Sequence, residues 1–307
     1  MKHTHYSERD AAWFDEVADT IARGRTALLV PSEPVGAALS LIAATDAGAS
    51  GEDAVLWLLS QETQPDVDAT ALALIALARS GNAARARCHA TIHSAINFLL
   101  AVQNRDGGWP GFDRHVKSDP SCPAITAHVL EALGHFGFRV GQPPVDAAVK
   151  FVLSRQEESG AWLNRGGTNE LQTTWQVIAG LRAVGSDVYT LPVRRSVRWL
   201  KESQREDAGW GGSTPTETAW ALLSLLAAGD GEGAEVRAGA EFLVGTQHAD
   251  GTWSEGAFAG TDFALMALGR YLSDRSRPAE VRKVLVRTDA GYRASRPKSY
   301  RHTLAEM

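Results

Sequence analysis

A glutamine followed six residues later by a tryptophan recurs four times in this chain, each time with glycine close before the tryptophan. The copies are Gln103–Trp109 (QNRDGGW), Gln156–Trp162 (QEESGAW), Gln204–Trp210 (QREDAGW) and Gln247–Trp253 (QHADGTW). Upstream of each glutamine the same apolar positions return four, seven and eleven residues back. They read Leu99/Ile96/Ile92, Val152/Val149/Val145, Leu200/Val197/Val193 and Leu243/Ala240/Val236. That spacing is one face of an α-helix, with Arg, Lys and Glu on the other. Trp57 and Gln61 form a degenerate fifth copy. A period of about 40–55 residues marks stacked helical units, each of which buries its apolar face only against its neighbours.

A second helix of a different kind follows each loop. These segments, Asp66–Ser80, Pro123–His135, Asn169–Ala183, Pro215–Ala228 and Thr261–Tyr271, are apolar nearly all round. Proline near the first turn (Pro65, Pro123, Pro215) and glycine at the far end (Gly81, Gly185, Gly229) mark their limits. A helix apolar on every side must be buried on every side, so this series is inner and the amphipathic series outer. Tyr6–Ala22 and Val35–Ala47 supply a first pair, which makes about six pairs and enough to close a ring. The predicted fold is all-α: one α6–α6 barrel over residues 1–273, followed by a basic tail over 274–307. The glutamines and tryptophans have a structural role here. A glutamine amide at an outer helix end bonds backbone groups of the next loop while the indole packs over it.

Composition narrows the function. No stretch approaches the roughly 18 apolar residues of a membrane span, and the start MKHTH lacks the apolar region of a signal peptide. Two cysteines, Cys88 and Cys122, cannot staple 307 residues, so a reducing, cytoplasmic setting is expected. A formal charge of −5 argues against nucleic acid as the partner.

Inner helices aim their N-termini at one end of such a barrel, which makes that end the place to look for chemistry. Aligned on Thr70, Thr126, Thr174 and Thr218, two neighbouring inner helices bring Asp66 and Asp68 near His128. Two carboxylates entering an apolar helix repel each other, burial holds one of them protonated, and a histidine within reach orients the proton. Spacing alone leaves a second reading open, in which the aspartates are helix caps and His128 a satisfied core residue.

The glutamine–tryptophan repeats, together with PDVDATA at 65–71, GGWPGFD at 107–113, TAHVLEALGHFGF at 126–138 and STPTETAWALLSL at 213–225, resemble the squalene–hopene cyclase family of class II terpene cyclases. The resemblance implies the catalytic β-type barrel of that family without its second, γ barrel. It makes Asp68 similar to the family's general acid, Asp66 to the first carboxylate of the same D-x-D-D motif, and His128 to the histidine that hydrogen-bonds the acid. The motif's last aspartate is Ala69 here, and the aspartate four residues before the histidine is Ala124. Phe112 resembles a cavity aromatic of the family; Phe258, Asp262 and Phe263 resemble its F-x-x-D-F block with one extra residue. Trp220 lies on an inner helix. Gly166 and Gln172 stand where the family has a tryptophan and a tyrosine, so the cavity wall is altered.

The resemblance therefore implies an enzyme without cofactor or metal. It protonates a terminal alkene or epoxide of a linear isoprenoid shorter than squalene, on a diphosphate or aromatic head group, and cyclises it through carbocations. The alternatives are a non-catalytic prenyl-binding or scaffold barrel and a zinc prenyltransferase-like protein. For the latter, Asp119, Cys122 and His128 contain metal-ligand types and invite comparison with the zinc site of protein prenyltransferase β subunits, but no second inner helix supplies a histidine at the needed place. The uncovered barrel face predicts a homodimer, a partner protein or peripheral membrane contact. The basic residues of the tail, among them Arg282, Lys283, Arg287 and Arg293, are expected to be solvated.

Overall fold

The computed structural model describes residues 8–26, 34–48, 66–81, 83, 86–110, 120–163, 169–185, 190–253 and 258–276. They form eleven helices and no strand. Six make the inner series: α2 (Pro34–Asp46), α3 (Val67–Arg79), α5 (Pro123–His135), α7 (Glu170–Gly185), α9 (Pro215–Ala227) and α11 (Phe258–Ser276). Five lie outside them: α1 (Glu8–Thr26), α4 (Ala86–Ala101), α6 (Pro143–Leu153), α8 (Thr190–Glu202) and α10 (Ala234–Gly245). Each inner helix packs on the next, α2 on α3, α3 on α5, α5 on α7, α7 on α9, α9 on α11, and α11 returns to α2. The ring is closed, and the expected α6–α6 barrel is present. The last helix runs on to Ser276. The degenerate copy around Trp57 and Gln61, and the basic tail, lie outside the described residues. None of the described helices is long and apolar enough to cross a membrane.

Burial separates the two series as the hydrophobic pattern requires. Every residue of α5 from Pro123 to Gly134 is buried, whereas α8 and α10 bury only one stripe and leave charge outside. The tightest inner contact, α5 on α7, depends on small residues. A Cβ on Gly180 would collide with the Ala127 carbonyl, and one on Gly134 with Ala183.

The glutamine and tryptophan of each repeat divide the stapling between them. Each indole N–H donates to the carbonyl at the end of its own outer helix: Trp109 to Leu99, Trp162 to Val152, Trp210 to Leu200 and Trp253 to Leu243, at 2.7–2.8 Å. Each glutamine amide donates twice, once within its own loop and once to the start of the next outer helix. Gln103 reaches Pro144, Gln156 reaches Pro192 and Gln204 reaches Glu235. Gln247 reaches the Thr20 carbonyl of α1, so the last repeat bonds to the first helix and fastens the ring. The tryptophan backbone N–H in turn donates to a threonine on the following inner helix: Thr126, Thr174, Thr218 and Thr261. These bonds satisfy donors and acceptors that helix ends leave open.

The glycine two residues before the tryptophan explains how closely the loops sit. Gly107, Gly160 and Gly251 have φ of +90°, +102° and +86°. A Cβ there would strike the backbone of the next outer helix, at Ala147, Arg195 and Arg23 respectively. In the third repeat Ala208 occupies the left-handed region instead, at φ +68°, a strained choice for a residue with a side chain.

Candidate active site

The six inner helices are parallel, because the C-terminal ends of all six line one cavity. Asp46, Arg79, Glu131, Arg182, Ala227 and Arg270, from the six inner helices in turn, all line it. Their N-termini therefore converge on the opposite end, where Asp68 and His128 lie.

Asp68 and His128 meet. His128 Nδ1 is 2.6 Å from Asp68 Oδ1, with the histidine side chain 8% exposed and the aspartate 27%. Burial alone would lower the imidazole pKa. The Asp68 carboxylate beside it, their hydrogen bond and the charge of Glu131 outweigh that and raise it. The raised pKa favours the imidazolium form of His128, which donates to Asp68. Asp68 is the second residue of α3 and His128 the sixth of α5. Neighbouring inner helices, in the register set by the threonines, put the two within reach.

Asp66 does not join them. It is exposed and caps α3, its Oδ1 accepting from the Ala69 N–H at 2.8 Å. The expectation of two carboxylates buried against each other is corrected by helix geometry. Residues two apart point to opposite sides of a helix and do not face each other. Asp66 takes the cap position, and Asp68 is the carboxylate that meets His128.

The aromatic residues form a second group, level with His128 in the threonine register. Phe263 lies edge-on to Trp220, with ring centroids 5.3 Å apart, and to Trp175 at 5.7 Å. Trp175 belongs to α7 and Phe263 to α11, helices that do not adjoin in the ring, so this contact crosses the barrel interior. Trp175 was absent from the sequence-based site. The signal for it is that alanine follows the aligned threonine at Ala71, Ala127 and Ala219, but tryptophan at 175. Phe112, Gly166 and Asp119 lie outside the described residues, as does the side chain of Phe258. Gln172 is partly buried near the start of α7, and Ala124 is buried. Among the described residues no three His, Cys, Asp or Glu side chains gather as a metal site.

Asp262 is buried beside Phe263, at 3% exposure, and accepts from Ser40 Oγ at 3.1 Å. Burial pushes its carboxyl up to about 7, and the Ser40 hydrogen bond offsets only part of that. The unfolded chain ionises this group near its ordinary 3.8 while the folded protein still holds the proton. Stability should therefore fall as pH rises from about 4 to 7 and stay level above, a loss of about 4 kcal/mol at ~1.4 kcal/mol per unit. Urea unfolding of Asp262→Asn should lack this slope, and the variant should be the more stable protein at pH 8. Equal slopes for the two proteins would remove the assignment.

Comparison with known proteins adds three findings. Residues 54–276 match the family model of the squalene-hopene cyclase C-terminal domain. The squalene–hopene cyclase of Zymomonas mobilis is 29% identical over 240 residues, and that of Alicyclobacillus acidocaldarius 32% over 229. These matches take in 67% and 65% of this chain but 36% of each relative, so the chain spans about a third of their length. Among solved structures, the fold is shared with the type II terpene cyclase MstE from Scytonema in complex with geranylgeranyl dihydroxybenzoate. That likeness has a TM-score of 0.65 at 15% identity and covers 85% of this chain and 98% of that one. It is shared also with the ent-copalyl diphosphate synthase of Streptomyces platensis, with a TM-score of 0.60 at 20% identity over 78% of this chain and 50% of that one.

Proposed function

Given that the chain belongs to the squalene–hopene cyclase family, we propose that it is a class II terpene cyclase. It protonates the terminal alkene or epoxide of a linear prenyl substrate and cyclises it through carbocations. The observation that carries this reading is the 2.6 Å contact between Asp68 and His128 at the end of the barrel where the inner helices begin. In the acid form of the pair, His128 donates to Oδ1 and Oδ2 of Asp68 carries the transferable proton. A carboxyl group whose other oxygen accepts from a cation gives up its proton more readily.

The proton adds to the CH carbon of the terminal double bond, and the alkene electron pair that receives it leaves a tertiary cation at the neighbouring dimethyl-substituted carbon. Successive double bonds attack that cation, and loss of a proton to a base ends the cascade. Aromatic faces stabilise positive charge without offering a nucleophile; Phe263 and Trp220 supply such faces below the acid. Asp66 supports the start of α3 rather than the proton. A prenyl chain on an aromatic head group fits this reading best, since the Scytonema neighbour is held with such a molecule and is covered almost whole by this barrel.

The competing reading is a prenyl-binding scaffold, motivated by Ala69 and Ala124 in place of acids. Incubating the purified protein with C10–C30 prenyl diphosphates, prenyl arenes and their epoxides separates the two. Cyclised isomers detected by mass spectrometry are expected. Tight binding of every substrate with none converted would replace the cyclase with the scaffold.

A further inference from the structure

The same six inner helices run between the two ends of the barrel. Below the aromatic layer lies a second compartment, a cavity of about 480 Å³ lined by Asp46, Arg79, Glu131, His135, Arg182 and Arg270 among others, with exposed Ser273 on its wall. Helical spacing connects it with the upper site. Glu131 and His135 follow His128 by three and seven residues, Ala179 and Arg182 follow Trp175 by four and seven, and Arg270 follows Phe263 by seven. Seven residues are about 10 Å of helix. The lining therefore begins one helical turn below His128 and Trp175, at Glu131 and Ala179, and reaches its arginines and His135 about 10 Å down.

Trp175 stands between the two. Its ring meets Phe263 of the upper layer at 5.7 Å and lies 6.0 Å from the guanidinium carbon of Arg270, which belongs to the lower one. It is 5% exposed and its Nε1 has no hydrogen-bond partner. The corresponding step on three other inner helices is alanine, as noted above. Nothing in the repeat or the barrel closure calls for an indole here.

We infer that Trp175 is the partition of the lumen, the side chain that keeps the water and charge of the lower cavity away from the compartment in which a carbocation forms. A cation one layer above a hydrated cavity would be captured by water, giving an alcohol where proton loss would give an alkene. The indole, wide enough to reach across to Phe263, blocks that path. Its consequence for products rests on the cyclase reading; its consequence for hydration does not.

Asp262, next to Phe263, serves as the internal probe. Its carboxyl, at about 7 because it is buried, can be followed by carbon-13 NMR in the full chain. In Trp175→Leu the titration should move down by at least about one unit, toward the ordinary carboxylate value near 4, as water enters from the lower cavity. Trp175→Phe, which keeps a ring, should titrate as the wild type does. With a prenyl substrate in ¹⁸O-labelled water, the labelled alcohol fraction should rise roughly ten-fold in the leucine variant. Should that variant not unfold cooperatively, Trp175→Met is read in the same way. An unmoved Asp262 titration in a cooperatively folded leucine or methionine variant overturns the partition. If no prenyl substrate is converted even by the wild type, the cyclase reading fails, and the titration alone still decides whether Trp175 divides the lumen.

Discussion

Asp68→Asn should lower the rate of cyclisation by at least roughly 100-fold, the lower range for loss of a general acid, with folding and substrate affinity little changed. Asparagine keeps the shape and a hydrogen-bonding group opposite His128 but has no proton to transfer. The structure sharpens this test, because the N-cap of α3 is Asp66 and not Asp68. The substitution leaves the cap bond to Ala69 intact, so a lost rate cannot be traced to a frayed helix. Conversely, Asp66→Ala should cost about 1 kcal/mol of stability while leaving turnover near the wild-type rate. His128→Ala should reduce turnover less severely than Asp68→Asn, since the imidazole positions the proton without donating it to substrate. Activity should also fall in alkali as the raised imidazole pKa is passed and Asp68 loses its cationic partner. Initial rates for the three variants, beside their urea midpoints, check all of this. An Asp68→Asn protein that cyclises at the wild-type rate would sink the mechanism.

Why these residues were legible, and others not, follows from the range of each interaction. The repeat is local: six residues link each glutamine to its tryptophan, and the apolar register before it fixes an outer helix. The ring could be counted from that pattern alone. The threonine register then placed Asp68 opposite His128, because those helices adjoin and both residues sit near their N-termini. Asp66 is not legible in the same way, because nearness in sequence does not give a shared direction and a two-residue step turns a helix by more than half a circle. Trp175 was missed because a tryptophan in an apolar helix looks like core. Only its contact with Phe263, two helices away around the ring, shows that it enters the lumen. The glutamines were half understood. Their bond within the loop was expected, whereas their second bond, to the next outer helix, depends on how units stack.

The deepest gap concerns the far end of the barrel, and it yields the second large prediction. The inner helices read as apolar all round, yet their C-terminal turns bury a network of charge. Arg79 bonds Asp46 at 2.9 Å and Glu131 at 3.3 Å, Arg270 bonds Asp46 at 2.8 Å, and His135 lies 3.7 Å from Glu131. The physical reason is the convergence of six helix C-termini, whose partial negative charge and open carbonyls favour cations. Arg182 and Arg139 answer the same demand by donating to the Ala227 and Gly134 carbonyls. The arginines in turn need buried carboxylates to balance them. Glu131, 7% exposed, is one of these. Burial would raise its pKa, but the His135 hydrogen bond and the charges of Arg79, His135 and Arg270 hold it well below the usual carboxylate range.

Glu131→Gln keeps the volume and removes the charge, leaving Arg79 and Arg270 to share Asp46 and His135 without its carboxylate. Breaking a buried pair from one side costs about 3–5 kcal/mol, a large part of the 5–15 kcal/mol typical of a folded domain. The loss should depend on pH in a defined direction. A carboxylate whose folded pKa is depressed adds stability above its unfolded value, 4.5 here, and that stability fades as pH falls from there toward the folded pKa. Wild type and variant should thus differ most near pH 7 and converge in acid below pH ~4. Urea unfolding from pH 3 to 8 measures the gap. The variant should also retain the 2.6 Å Asp68–His128 contact, so activity per folded molecule should change far less than stability. A gap that stays constant across the acid range would mean that Glu131 acts through its shape and not its charge.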